Sequence, residues 1–287
     1  MPTSSTIAKW ELKLRLARLR RDSQLDDADV LAAVGISRPY WSQVVNGTRI
    51  LTEEKLLTLA KTYGCDEEEQ AELVALRTVA TTERGWWTKY PALIRPEMQR
   101  LYGLEAGAHS IRCYNSLLIP GLLQSEGYAR AIIAANTNIR PFEVEQHLAV
   151  RMQRQSRLSG EDPLHVTAVF SQAALIQETG GPDVLQEQLR HLASLVDEHP
   201  ETIEIRIIPF TATEGTALGG STFHLIDFGS PQLPTLGWSE TPTRAAVVED
   251  ESEVSSLTYA FAQALTQTLS AEESVALIKE AINERRA

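Results

Sequence analysis

The chain has 287 residues, 43% apolar and 23% charged, a balance that supports packed cores and excludes a disordered or fibrous polypeptide. Its formal net charge of −11 excludes an evenly basic nucleic-acid coat but leaves room for a local basic face. Cys65 and Cys113 are the only cysteines, too few for a disulfide scaffold, and no apolar run reaches the roughly 20 residues of a membrane-spanning helix.

These features, with no apolar signal-peptide core in Met1 to Lys9, predict a cytoplasmic protein. Length and pattern predict two domains. The stretch to about Thr82 reads as helices joined by short turns; Gly85, Trp86, Trp87, Tyr90, Pro91 and Pro96 then break the pattern. The expected organisation is a helical bundle over residues 1–82, an aromatic connector over 83–96, and a larger second domain over 97–287.

The first helix is basic, with Lys9, Lys13, Arg15, Arg18, Arg20 and Arg21, some of which would reach a DNA backbone. Asp26 is placed to cap a helix running through Val34, and Gly35 permits a tight turn because glycine enters the left-handed region without a Cβ penalty. Ser37 caps a second short helix, Arg38 to Val45, in whose first turn Pro39 is tolerated. Thr52 caps the next, with Glu53 and Glu54 at its positive end.

Helix, glycine turn, helix at this spacing predicts a DNA-binding helix-turn-helix. Val30, Val34, Ile36 and Trp41 would pack between the two helices. Ser37, Arg38, Tyr40, Ser42, Gln43 and Asn46 would face outward, where glutamine suits adenine and arginine suits guanine. Thr48 and Arg49 would hold a phosphate. Asp26, Asp27 and Asp29 set three carboxylates near that surface and weaken binding if they face phosphate.

Beyond residue 97, apolar residues at helical spacing predict helices over Ser125 to Ala135, Pro141 to Leu158 and Asp183 to Glu198. Strands are expected at His165 to Phe170, Ile203 to Ile208 and Thr222 to Phe228. A capping box of Ser270 with Glu273 opens a last helix. The whole reads as mainly α, with an α+β second domain and a mostly antiparallel sheet. No HExxH, P-loop, GxSxG or GxGxxG is present, so neither a catalytic site nor a metal or other cofactor is expected. His224 and Asp227, three apart in a strand, would face opposite ways. Glu249, Asp250, Glu251 and Glu253 read as a solvated, helix-capping turn, with metal binding as the alternative; the Gly215 to Gly220 loop reads as a flexible connection that could close over a ligand; and Arg151, Arg154 and Arg157 read as a solvated helix face, with a protein or anion contact as the alternative.

The stretch LDDADVLAAVGISRPYWSQVVNGTRILTEEKLLTLAKTYG resembles the Xre-type, or lambda-repressor-like, helix-turn-helix. With RGWWTKY, YNSLLIPGLLQSEGYARAII and LSAEESVALI, nearly the whole chain resembles an actinobacterial family of antitoxin-like, WhiJ-like regulators whose C-terminal domain is of undefined function. Against the usual pattern, Gln24 replaces a glycine, Asp27 a backbone-contacting glutamine, Leu31 a small alanine and Val45 an acidic residue. The resemblance implies homodimeric binding to a double-stranded DNA operator and control by a small protein partner encoded nearby. A small-molecule ligand of the second domain is the alternative, which would need a pocket with convergent polar groups.

Overall fold

The computed structural model describes residues 4–82, 85–212, 222–241 and 244–284. The chain divides into two compact units, Met1–Lys89 with Gly229–Leu233, and Tyr90–Phe228 with Pro234–Ala287.

The first unit is helical: α1 (Ser5–Ser23), α2 (Asp27–Val34), α3 (Arg38–Val45), α4 (Glu53–Thr62) and α5 (Glu67–Thr82). Helix starts leave backbone N–H groups without intrahelical partners, and here side chains satisfy some of them. The Ser4, Asp26, Ser37 and Thr52 side chains accept from Thr6, Ala28, Tyr40 and Lys55 N–H at 3.2, 2.7, 3.4 and 3.4 Å. The periodic apolar faces meet in one core holding Leu12, Leu16, Val30, Val34, Trp41, Leu56, Leu59 and Leu73, with Ile36 half-buried against it. Burying each such side chain contributes about 1.5–3 kcal/mol. A short 3-10 turn, Trp86–Lys89, buries Trp87.

The second unit contains α6 (Pro96–Glu105), β1 (Ser110–Asn115), α7 (Glu126–Ala135), α8 (Val144–Gln155), β2 (His165–Ser171), α9 (Pro182–Glu198) and β3 (Ile203–Ile208). It continues with β4 (Thr222–Asp227), β5 (Leu236–Glu240), β6 (Ala245–Val248), α10 (Glu251–Thr266) and α11 (Ala271–Glu284). The six strands form one sheet in the order β3-β2-β1-β4-β5-β6. It is mixed. The β1-β2 and β2-β3 pairs are parallel, joined by helical crossovers, and the β1-β4, β4-β5 and β5-β6 pairs are antiparallel.

In β3, Ile203, Ile205 and Ile207 are buried and alternate with half-buried Glu204 and Arg206, as the pleat requires. One sheet face packs on α10, where Tyr114, Val169, Phe223 and Leu225 meet Val254 and Phe261. Asp227 lies on this side, bonded by Arg112 at 3.1 and 3.2 Å and by Thr235 at 2.6 Å. His224 points to the opposite face, as three-residue spacing demands. At the C-terminus, Ser270 N–H donates to Glu273 Oε2 at 2.8 Å and Glu273 N–H to Ser270 Oγ at 3.1 Å, the expected capping box. Asp250 caps α10 through Glu253 N–H at 3.0 Å. The loop expected at Gly215 to Gly220 lies outside the described residues.

One expectation needs correction. Arg151, Arg154 and Arg157 do not form a solvated face. The Arg154 side chain is 8% exposed and donates to both Glu105 oxygens, at 2.8 and 2.5 Å. Arg157 donates to Asp162 O at 2.6 Å and Ala108 O at 3.0 Å. The partners lie far away in sequence or are backbone carbonyls, so the helix periodicity carries no sign of them. The PGLLQ stretch is likewise interior: Leu122, Leu123 and Gln124 are buried. Fully buried Gln188 of α9 accepts from Ser125 N–H at 2.6 Å and donates to Leu123 O at 2.8 Å.

Candidate nucleic-acid interface

The helix-turn-helix is built by α2, a three-residue turn and α3. Gly35 sits in the left-handed region at φ 65°, where its N–H donates to Ala32 O at 3.3 Å and the following Ile36 N–H to Leu31 O at 3.1 Å. Val30, Val34, Trp41 and Val44 turn inward and are buried. That burial fixes which side of α3 is left outside. Ser37, Arg38, Ser42, Gln43, Asn46, Thr48 and Arg49 are exposed, and Tyr40 is half-buried.

These exposed side chains are partly ordered by one another. The Gln43 carbonyl accepts from Thr48 N–H at 2.9 Å, Thr48 Oγ1 at 3.0 Å and Arg49 N–H at 3.1 Å. This closes α3 and fixes the start of the following loop. Arg49 donates to Gln43 Oε1 at 3.4 Å, and its guanidinium stacks over the Tyr40 ring, 4.3 Å from the centroid. Asn46 Nδ2 donates to Ser42 Oγ at 3.4 Å. A patch of amides, hydroxyls and guanidinium groups with few internal demands is chemically suited to base edges and phosphate oxygens.

Lys55 belongs with them and was not singled out in the sequence. Its ammonium group lies 5.2 Å from the Tyr40 ring centroid and donates to Gly35 O at 3.5 Å. Tyr40 therefore meets two cations, drawn from residues 9 and 15 positions away. The signal available in the sequence was a lysine in the first turn of α4, where the helix dipole disfavours a cation.

The basic first helix is less available than its composition implies. Arg15 pairs with Glu72 at 2.5 Å and Glu11 at 3.5 Å. Arg20 Nε donates to Asp27 Oδ1 at 2.8 Å, a fork completed by its Nη2. Asp27, one of the three carboxylates near the DNA-facing surface, is thereby paired, while Asp26 and Asp29 remain exposed. Burial first, then the Asp27 charge, pushes the nearby Tyr63 hydroxyl up to about 12, against the opposing effect of Arg20. Burial likewise raises the Cys65 thiol to about 11, and the side chain packs in the helical core.

Charge is unevenly shared along the chain. Basic and acidic residues balance within residues 1–89, so the whole negative excess lies beyond them. Among the described residues no group of three His, Cys, Asp or Glu side chains converges to hold a metal ion.

Residues 11–73 match the model of a helix-turn-helix domain, the segment that contains α2, the glycine turn and α3. Residues 98–280 match the model of a domain of unknown function, DUF5753. The chain belongs to the DUF5753 family. No curated protein and no solved structure matches it. The exposed face of α3 is thus the outward face of a helix-turn-helix domain, and this DUF5753 protein is a DNA-binding regulator of Xre-like type. No helix among the described residues is long and apolar enough to cross a membrane.

Proposed function

We propose that this DUF5753 protein is a sequence-specific transcription regulator of the cytoplasm. In this reading it binds a double-stranded operator as a homodimer through α3, and its DUF5753 domain receives the controlling signal. The observation that carries the reading is the outward face of α3, where Arg38, Gln43 and Asn46 stand exposed at the start and middle of a helix held by a buried seam. Recognition helices read bases with residues of this kind. One short helix contacts too few base pairs for useful specificity, which favours two copies on a two-fold site. Arg49, Thr48 and Lys55 serve the phosphates.

Control by a small protein partner rests on the antitoxin-like resemblance. An exposed apolar surface around Trp86, Trp87 or Leu117 to Leu123 would favour it, but Trp87, Leu122 and Leu123 are buried, Trp86 is half-buried and Leu117 alone of these is strongly exposed. Control by a small molecule has a specific observation in its favour, the polar cluster inside the DUF5753 domain described below. No catalytic role is assigned to any residue.

Selection of fragments from a random double-stranded DNA pool by the full chain tests the reading. An enriched two-fold symmetric motif is expected, with two chains bound per site. Recovery of unenriched DNA would overturn sequence-specific recognition, and a single chain per motif would overturn the homodimer.

A further inference from the structure

The DUF5753 sheet face opposite α10 is not a simple apolar floor. Across it, Cys113 of β1 is in register with His224 of β4, and His224 with Trp238 of β5. The pleat places all three on one face, with Asn115 and Glu240 in the next row toward the end of β1. Buried polar groups almost always find a hydrogen-bond partner. Here Trp238 Nε1, His224 Nδ1 and Asn115 Oδ1 are buried and have none among the described residues. Trp238 is itself completely buried.

Two guanidinium groups, three residues apart on α8, belong to the same cluster. Arg154 is fully matched, by both oxygens of Glu105 and by the Tyr102 ring at 4.7 Å. Its charge and the surrounding burial keep His224 neutral, the imidazole held down at about 3 chiefly by desolvation. Arg151 has no carboxylate within ion-pair distance among the described residues. Its hydrogen bond goes to an amide, Gln124 Oε1, at 2.7 Å. Burial, then the neighbouring Arg154, makes its charged form harder to hold than usual. Buried Arg154 and half-buried Arg151 therefore have one buried carboxylate beside them, which Arg154 takes, and the nearby Trp238 Nε1 and His224 Nδ1 have no partner among the described residues.

We propose that this cluster is a ligand site of the DUF5753 domain that takes an organic carboxylate, with Arg151 as its principal counter-charge and the Trp238 indole N–H and His224 as further donors. A guanidinium fork accepts carboxylate and phosphate alike. Exposed Glu240 selects between them: it acts on Arg151, Arg154 and Tyr102 through space, and its negative charge opposes a doubly charged phosphate more than a singly charged carboxylate. Trp238 and Tyr102 offer aromatic surface to the organic part. Gln124, which Arg151 now engages, is also held through its backbone carbonyl by Gln155 Nε2 at 2.7 Å. A carboxylate that displaces Gln124 from Arg151 is thus coupled to the PGLLQ turn.

The site stands apart from the DNA-binding reading, because its test contains no DNA. Sodium benzoate, sodium acetate, sodium phosphate and sodium chloride are titrated separately into the full chain by isothermal calorimetry. Benzoate is expected to bind saturably, one per chain, and more tightly than phosphate or chloride. Arg151→Met should weaken it about tenfold or more, and Arg151→Lys less. Glu240→Gln, on the surface and harmless to folding, should tighten benzoate about twofold or more. No saturable benzoate binding, equal binding by a folded Arg151→Met variant, or no tightening in Glu240→Gln would overturn the site. Phosphate binding more tightly than benzoate would overturn the carboxylate assignment.

Discussion

Single residues carry the clearest energetic consequences. Gln24 ends α1 at φ 54°, a left-handed conformation that costs a side-chain-bearing residue about 1 kcal/mol. Gln24→Gly should raise unfolding free energy by about 0.5–1 kcal/mol in urea titration, with unchanged slope. A loss of stability would mean that the Gln24 side chain has a role beyond its backbone. The Arg154–Glu105 pair is the opposite case. Removing one charge leaves the other buried alone, so Glu105→Gln should cost about 3–5 kcal/mol by the same measurement. A cost below about 1 kcal/mol would show that the pair is solvated in solution. His224 adds a pH dependence. Its folded value of about 3 lies below the ordinary 6.5, so below pH 6.5 the unfolded chain binds a proton that the folded chain refuses. Stability should fall on acidification from pH 6.5 toward 3, by at most about 1.4 kcal/mol per pH unit from this group, and His224→Gln should flatten that slope. An unchanged slope in the variant would assign the acid sensitivity elsewhere.

At the scale of elements, what the sequence made legible was local. The caps Asp26, Ser37 and Thr52, the glycine turn at Gly35 and the inward positions Val30, Val34 and Trp41 are all decided within a few residues, and the helix-turn-helix follows from them. The same holds for β3, whose isoleucine alternation is unmistakable. Strands β1, β5 and β6 were not anticipated. β1 carries Arg112 amid its apolar residues, β5 contains Gly237, and β6 is four half-buried residues long, so none offers a clean period of two. Nor was the role of α8 legible. Arg154 becomes a core residue only because α6 delivers Glu105 from 49 positions upstream. In the candidate interface, the outward residues of α3 were readable from periodicity, whereas the pairing of Arg20 with Asp27 and the approach of Lys55 to Tyr40 depend on helices crossing in space. Gly35→Ala tests the turn itself. A Cβ there meets open space but the positive φ remains, so a loss of about 1–2 kcal/mol is expected, without loss of fold. No change in urea titration would mean that the turn relaxes to another conformation.

For the molecule as a whole, charge is divided by role. Residues 1–89 are balanced, with Arg38, Arg49 and Lys55 on or beside α3, and the acidity lies in the DUF5753 part. An acidic protein with a small cationic face binds DNA weakly without the right sequence, and phosphate contacts then show themselves in the salt dependence. Arg49→Ala should weaken all sequences alike and reduce the slope of log affinity against log salt by about 1 per chain. The most direct test of base reading is operator affinity measured for wild type, Gln43→Ala and Arg38→Ala on the selected motif and on single-base variants of it. Each substitution is expected to weaken the selected motif by about 1–3 kcal/mol and to relax preference at one base pair of each half-site. Unchanged affinity and unchanged base preference in both variants would contradict recognition through the exposed face of α3.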